Sequence, residues 1–200
     1  VIKTDPSARV LTAAFYICGG PKYFGGEFYN NRITTNVPAA WIASMYGGAS
    51  ASDLHNNTIT TLEGGKFPTF TIGSEGCDEC VARDVKIRSN TVTGQPFSIQ
   101  ATRQDHVFTV SWTLTVKVED GHGSPLAGSA VTVINKDGTV VVSQTTDEKG
   151  MVSMELPQYS HQGFTPQFAS PYTVQAGNRT ETVDLNENKT IILSAKTTKP

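Results

Sequence analysis

The sequence predicts an all-β chain in two parts, a solenoid of stacked short strands followed by a β-sandwich. Three observations predict it. Val, Ile and Thr are frequent, and their β-branched side chains suit a pleated surface. The 18 glycines and 10 prolines are spread along all 200 residues, so no long stretch reads as an amphipathic helix. A short pattern recurs three times in the first half and then gives way, at Trp112, to strict alternation. The nearest thing to a helix is 38–46, which is short, stops at Gly47-Gly48 and reads equally as a strand.

The repeat justifies the first part. Phe28-Tyr29-Asn30-Asn31-Arg32-Ile33-Thr34-Thr35 aligns without gaps to Leu54-His55-Asn56-Asn57-Thr58-Ile59-Thr60-Thr61 and to Ile87-Arg88-Ser89-Asn90-Thr91-Val92-Thr93-Gly94. The shared pattern is apolar-x-polar-Asn-x-apolar-Thr. Asn31, Asn57 and Asn90 are 26 and then 33 residues apart. A second apolar segment follows each copy, at 40–43, 68–72 and 96–99, and 9–17 reads as one further coil. Stacked at the spacing of about 4.8 Å between neighbouring strands, Phe28, Leu54 and Ile87 form one interior column and Ile33, Ile59 and Val92 another. Asn suits the bend between them because it tolerates left-handed backbone, and stacked amides can bond to each other.

Alternation justifies the second part. Trp112, Leu114, Val116 and Val118 face one way, with Thr113, Thr115, Lys117 and Glu119 the other, as in a strand with one wet face. Strands are expected at 130–134, 139–143, 152–156, 172–176, 180–185 and 190–193, with a hairpin turn at Asn135-Lys136-Asp137-Gly138 and a long irregular loop over 157–170. That gives about seven strands, a sandwich. The boundary falls near 108–111, so the division is 1–110 and 111–200. With no flexible linker between the parts, the sandwich is expected to cap the last coil.

The stacked apolar-x-polar-Asn-x-apolar-Thr repeat over 8–110 resembles the right-handed parallel β-helix proteins of the pectate-lyase-like superfamily. About four coils are present, which reads as the C-terminal end of a longer helix. The string Val118, Asp120, Gly121, Pro125, Leu126, Gly128, Val131, Val133, Thr146, Asp147, Gly150 and Leu156 resembles the carboxypeptidase-regulatory-like (transthyretin-like) β-sandwich family, over about 112–195. The resemblances imply a right-handed parallel β-helix capped by a seven-stranded antiparallel β-sandwich. They also imply two functions to weigh. One is a secreted or surface scaffold for carbohydrate binding or extracellular assembly. The other is the C-terminal part of a polysaccharide lyase or hydrolase.

Charge narrows the partners. Sixteen basic against 18 acidic residues give a net charge of −2, so no basic face for nucleic acid is expected. No apolar run approaches the length of a membrane-spanning helix. The chain starts at Val1 without a signal-peptide pattern and reads as a mature chain or an excised fragment. Three sequons, at Asn56, Asn178 and Asn188, agree with a secreted context. The remaining partners are a polysaccharide, a protein or further copies of the chain.

The alignment also names a candidate site. Glu27, Asp53 and Lys86 share one outward column, and Tyr29, His55 and Arg88 share the next. Such a face suits a sugar chain, with Tyr29 stacking on a ring and Lys86 and Arg88 pairing carboxylates. Asp53, Lys86 and Arg88, with Asp84, are the residue types a polysaccharide lyase would need. Glu75, Asp78 and Glu79 crowd hard oxygen ligands into one loop, which suits Ca²⁺. No other cofactor is implied. Of the three cysteines, Cys77 and Cys80 have the spacing of a redox motif or of half a zinc site, against which stands a local disulfide or two free thiols in a loop, and Cys18 is left over. His106, His122 and His161 lack partner spacing and read as surface or turn residues.

Overall fold

A computed structural model describes residues 13–19, 26–62, 67–102 and 105–194. The all-β expectation holds, for every element among these residues is a strand. The chain divides into two compact units. One is the part up to Val110 together with Ser160–Gln167; the other is Ser111–Tyr159 with the part from Phe168 onward.

The first unit is built of in-register parallel ladders. In the first ladder Ser52–His55 lies between Gly26–Tyr29 and Val85–Arg88, so that Phe28, Leu54 and Ile87 are direct partners. In the second, Thr58–Thr61 lies between Arg32–Thr35 and Thr91–Thr93, aligning Ile33, Ile59 and Val92. The third runs Phe15–Ile17, Ala40–Ile42, Phe70–Ile72 and Ile99–Ala101. Ala49–Ser50 and Ala82–Arg83 form a short fourth. Leu54, Ile59, Ile42 and Ile72 are at most 1% exposed, so the inner rungs carry the core. Residues 9–12 of the expected extra coil, and the glycines Gly20, Gly25, Gly64 and Gly65, lie outside the described residues.

Asparagines join the rungs. Asn31 Nδ2 donates to Asn57 Oδ1 at 2.9 Å, and Asn57 Nδ2 donates to Asn90 Oδ1 at 2.9 Å. The backbone N–H groups of Asn31 and Asn57 donate to the same two oxygens at 3.0 Å. Asn57 and Asn90 are buried, so these are bonds in a dry environment. The left-handed bend sits one residue earlier than expected, at Asn30, Asn56 and Ser89, with φ of 56°, 54° and 51°. The work is divided: one residue turns the chain, and the next aims its amide along the stack. Single left-handed residues also turn the chain at Ala51 and Asp84.

In the second unit, four strands form an antiparallel sheet in the order Val140–Thr145, Ala130–Ile134, Tyr172–Ala176, Arg179–Val183. Its turns are set by side chains that cap backbone N–H groups: Asn135 Oδ1 accepts from Asp137 and Thr139, and Asp147 Oδ1 from Lys149 and Met151. Asp120 does the same for His122 and Ser124, and these bonds hold its carboxyl below the usual carboxylate range. Trp112, Val116, Val133, Val174 and Leu185 are buried.

Two expectations for this half are corrected. The strands are not all antiparallel: His106–Glu119 pairs in parallel with Lys189–Ser194, matching Val116 to Ile191. Nor is 157–170 an irregular loop. Met151–Gly163 is one 13-residue strand and Thr165–Phe168 another. Pro157 invited the loop reading, but its carbonyl accepts the Tyr172 hydroxyl at 2.5 Å and Gln158 accepts the Trp112 indole N–H at 2.8 Å. Tertiary bonds therefore override the local breaker signal.

Candidate functional site on the first ladder

Strand alternation sends Phe28, Leu54 and Ile87 inward and their flanking residues outward. Register then sets Glu27 and Lys86 on either side of Asp53, and Tyr29 and Arg88 on either side of His55. Within this face Arg88 does not pair straight across. Its Nε reaches diagonally to both oxygens of Asp53, at 2.8 and 3.0 Å. The two side chains are 27% and 17% exposed, so the pair is screened and contributes roughly 0.2–1 kcal/mol. Glu27 and Lys86 are exposed, while Asp53 and His55 are half-buried.

The Tyr29 ring stacks on the His55 imidazole, with centroids 5.0 Å apart and planes within 4°. His55 Nδ1 lies 3.1 Å from Asn56 Nδ2. Its Nε2 is covered from solvent and has no hydrogen-bond partner. An orphaned polar atom of this kind costs about 1–3 kcal/mol. Beside these residues is a hollow of about 550 Å³ lined by Gly26, Glu27, Ala51, Asp53, Asp84 and Lys86.

The other candidate residues fall elsewhere. Cys77 and Cys80 form a disulfide with Cα atoms 5.3 Å apart, and Cys18 is a free thiol. Glu75, Asp78 and Glu79 are exposed around that disulfide. Among the described residues, the donor group that converges is not this loop but Glu27, Asp53 and His55, whose ligand atoms all lie within 4.8 Å of one another.

The histidines read as surface residues include two that are buried. His106 is 0% exposed. Its Nδ1 accepts the Ala82 N–H at 3.2 Å, and its Nε2 lies 2.9 Å from Thr102 Oγ1. His161 Nδ1 is 3.1 Å from the His106 carbonyl oxygen, and its ring stacks on Phe108 at 4.7 Å. Burial, with the positive field of His161 and Arg83, pushes His106 down to about 4. Sequence spacing could not reveal this group, because its members are brought together from 82, 102, 106 and 161. The alternation His106-Val-Phe108-Thr-Val110 was the available signal, since it puts His106 on the buried side of its strand.

The chain matches no family model and no curated protein. It is similar to solved structures of shaft pilin SpaA from Lactobacillus rhamnosus GG. One mutant form matches at 16% identity over 42% of this chain and 46% of that one, with a TM-score of 0.34. Another matches at 19% identity over 43% and 50%, with a TM-score of 0.31. It is also similar to the Bacillus anthracis TIE protein, at 20% identity over 50% of this chain and 19% of that one, with a TM-score of 0.32. The chain thus spans half or less of each of these proteins.

The expected membership of the pectate-lyase-like and transthyretin-like families is corrected by these findings. No family model supports either, and the structures found include pilin shafts rather than β-helix proteins. The physical reason is that both motifs encode local geometry. An apolar-x-polar-Asn-x-apolar-Thr repeat states what an in-register parallel ladder with a bend requires, and Asp-Gly turns state what tight connections require. Neither carries lineage.

Proposed function

We propose that this chain belongs to a secreted or cell-surface scaffold that takes part in an extracellular assembly, and that it is not itself a catalyst. The observation that carries this reading is the ladder of in-register rungs locked by buried asparagines, which makes a stiff, regular carrier. The Cys77–Cys80 disulfide supports an oxidising compartment, and the sequon residues Asn56, Asn178 and Asn188 are all exposed. No helix among the described residues is long and apolar enough to cross a membrane.

The outward columns argue against chemistry here. Arg88 is engaged by Asp53, which leaves a lyase reading without a disengaged base at that position. The second reading is binding of an acidic saccharide along the same face, favoured by the stacked Tyr29–His55 pair and by Lys86 beside the hollow.

Light scattering and electron microscopy of the full chain across a concentration series test the assembly. Ordered, concentration-dependent oligomers are expected, and a strict monomer at every concentration would overturn it. Acidic polysaccharides should be left intact, read as no rise in ultraviolet absorbance. Cleavage lost in Lys86→Ala or Arg88→Ala would replace this reading with a polysaccharide lyase or hydrolase.

A further inference from the structure

We propose that Glu27, Asp53 and His55 form a divalent metal site of the zinc type on the first ladder. The ladder itself brings the donors together. Glu27 and Asp53 are direct cross-rung partners, and His55 follows Asp53 by two residues, on the same face. Their ligand atoms already lie within 4.8 Å of one another. Tetrahedral zinc with bonds near 2.0–2.1 Å needs donors roughly 3.3 Å apart. The exposed Glu27 side chain can move toward the two half-buried donors.

The two half-buried donors are held as metal ligands need to be. Tyr29 stacks on the imidazole and sets its plane. Asn56 holds Nδ1, and its amide oxygen and nitrogen occupy equivalent positions. With the oxygen turned towards a protonated Nδ1, the lone pair of Nε2 is left for a metal. This is the usual outer arrangement around a ligating histidine. Nε2 is the atom that is covered and without a partner. Arg88 fixes Asp53 by holding both its oxygens, which retain lone pairs for a cation. The adjoining hollow is lined by Glu27 and Asp53, so it opens on the two carboxylates of the site.

One imidazole nitrogen with two carboxylates favours zinc or its late transition-metal neighbours. Calcium prefers six to eight oxygens. The inference is independent of the saccharide and assembly readings, because the metal alone is the probe.

Calorimetric titration of the full, metal-free chain with zinc chloride tests it. One ion per chain, with a micromolar dissociation constant and no competition from equal calcium or magnesium, is the expected result. His55→Phe keeps a ring against Tyr29 but removes the nitrogen. It and Glu27→Gln should each weaken binding at least about tenfold, whereas Cys18→Ser should leave it unchanged. Absence of saturable binding, or unchanged affinity in both site variants, would overturn the proposal. Should a variant unfold, nitrogen-15 spectra of the unsubstituted chain decide: zinc must shift His55 Nε2, and an unmoved signal sinks the site.

Discussion

Two neighbouring asparagines, Asn56 and Asn57, carry different loads. Asn57 is 2% exposed and bonded to Asn31, Asn90 and the Phe28 carbonyl. Asn57→Ala orphans groups on both adjacent rungs and should cost about 2–4 kcal/mol in urea denaturation. Asn56 is exposed at φ 54°, where glycine is unstrained, so Asn56→Gly should stay within about 1 kcal/mol of the parent. His106 sets a pH dependence. Its value falls from 6.5 to about 4 on folding, so the unfolded chain binds the extra proton between those limits. Stability is complete above about pH 6.5 and declines as pH falls towards 4, by up to about 3 kcal/mol. Denaturation midpoints at pH 7 and 4.5 measure the loss, and His106→Gln should flatten it.

Rungs differ by position in their ladder. Ile59 has a partner on each side and is 0% exposed, whereas Val92 is on an edge strand and half-buried. Ile59→Ala should therefore cost about 2–5 kcal/mol and Val92→Ala clearly less, compared by chemical denaturation. At this scale the inner and outer faces of the ladders are legible in the sequence, because period-two alternation and a repeated Asn recur at matching offsets. What escaped reading was set by distant partners. The strand through Pro157 depends on Tyr172 and Trp112, and the parallel pairing of Leu114 with Lys189 joins residues no local pattern links. The donor atoms of Glu27, Asp53 and His55 were readable as columns. Their convergence, and the diagonal reach of Arg88 to Asp53, were not, since rotamers rather than register decide those.

The whole chain offers two built-in reporters, Trp41 in the first unit and Trp112 in the second, each buried with its indole N–H bonded. In Trp41→Phe the remaining fluorescence follows the second unit and in Trp112→Phe the first, and coincident midpoints would show one cooperative transition. Separate transitions would show two independent folding units. The Cys77–Cys80 disulfide spans a sequence separation of 3, and so short a loop confers at most about 2 kcal/mol. Reduction should lower the melting temperature slightly and leave far-ultraviolet dichroism unchanged.

The amides of Asn31, Asn57 and Asn90 are oriented alike, with each nitrogen donating to the oxygen of the next rung. The column therefore has a polarity. Two copies related by a twofold axis would oppose like ends, acceptor to acceptor, and could not prolong it. Only a head-to-tail arrangement preserves the sense of the dipoles.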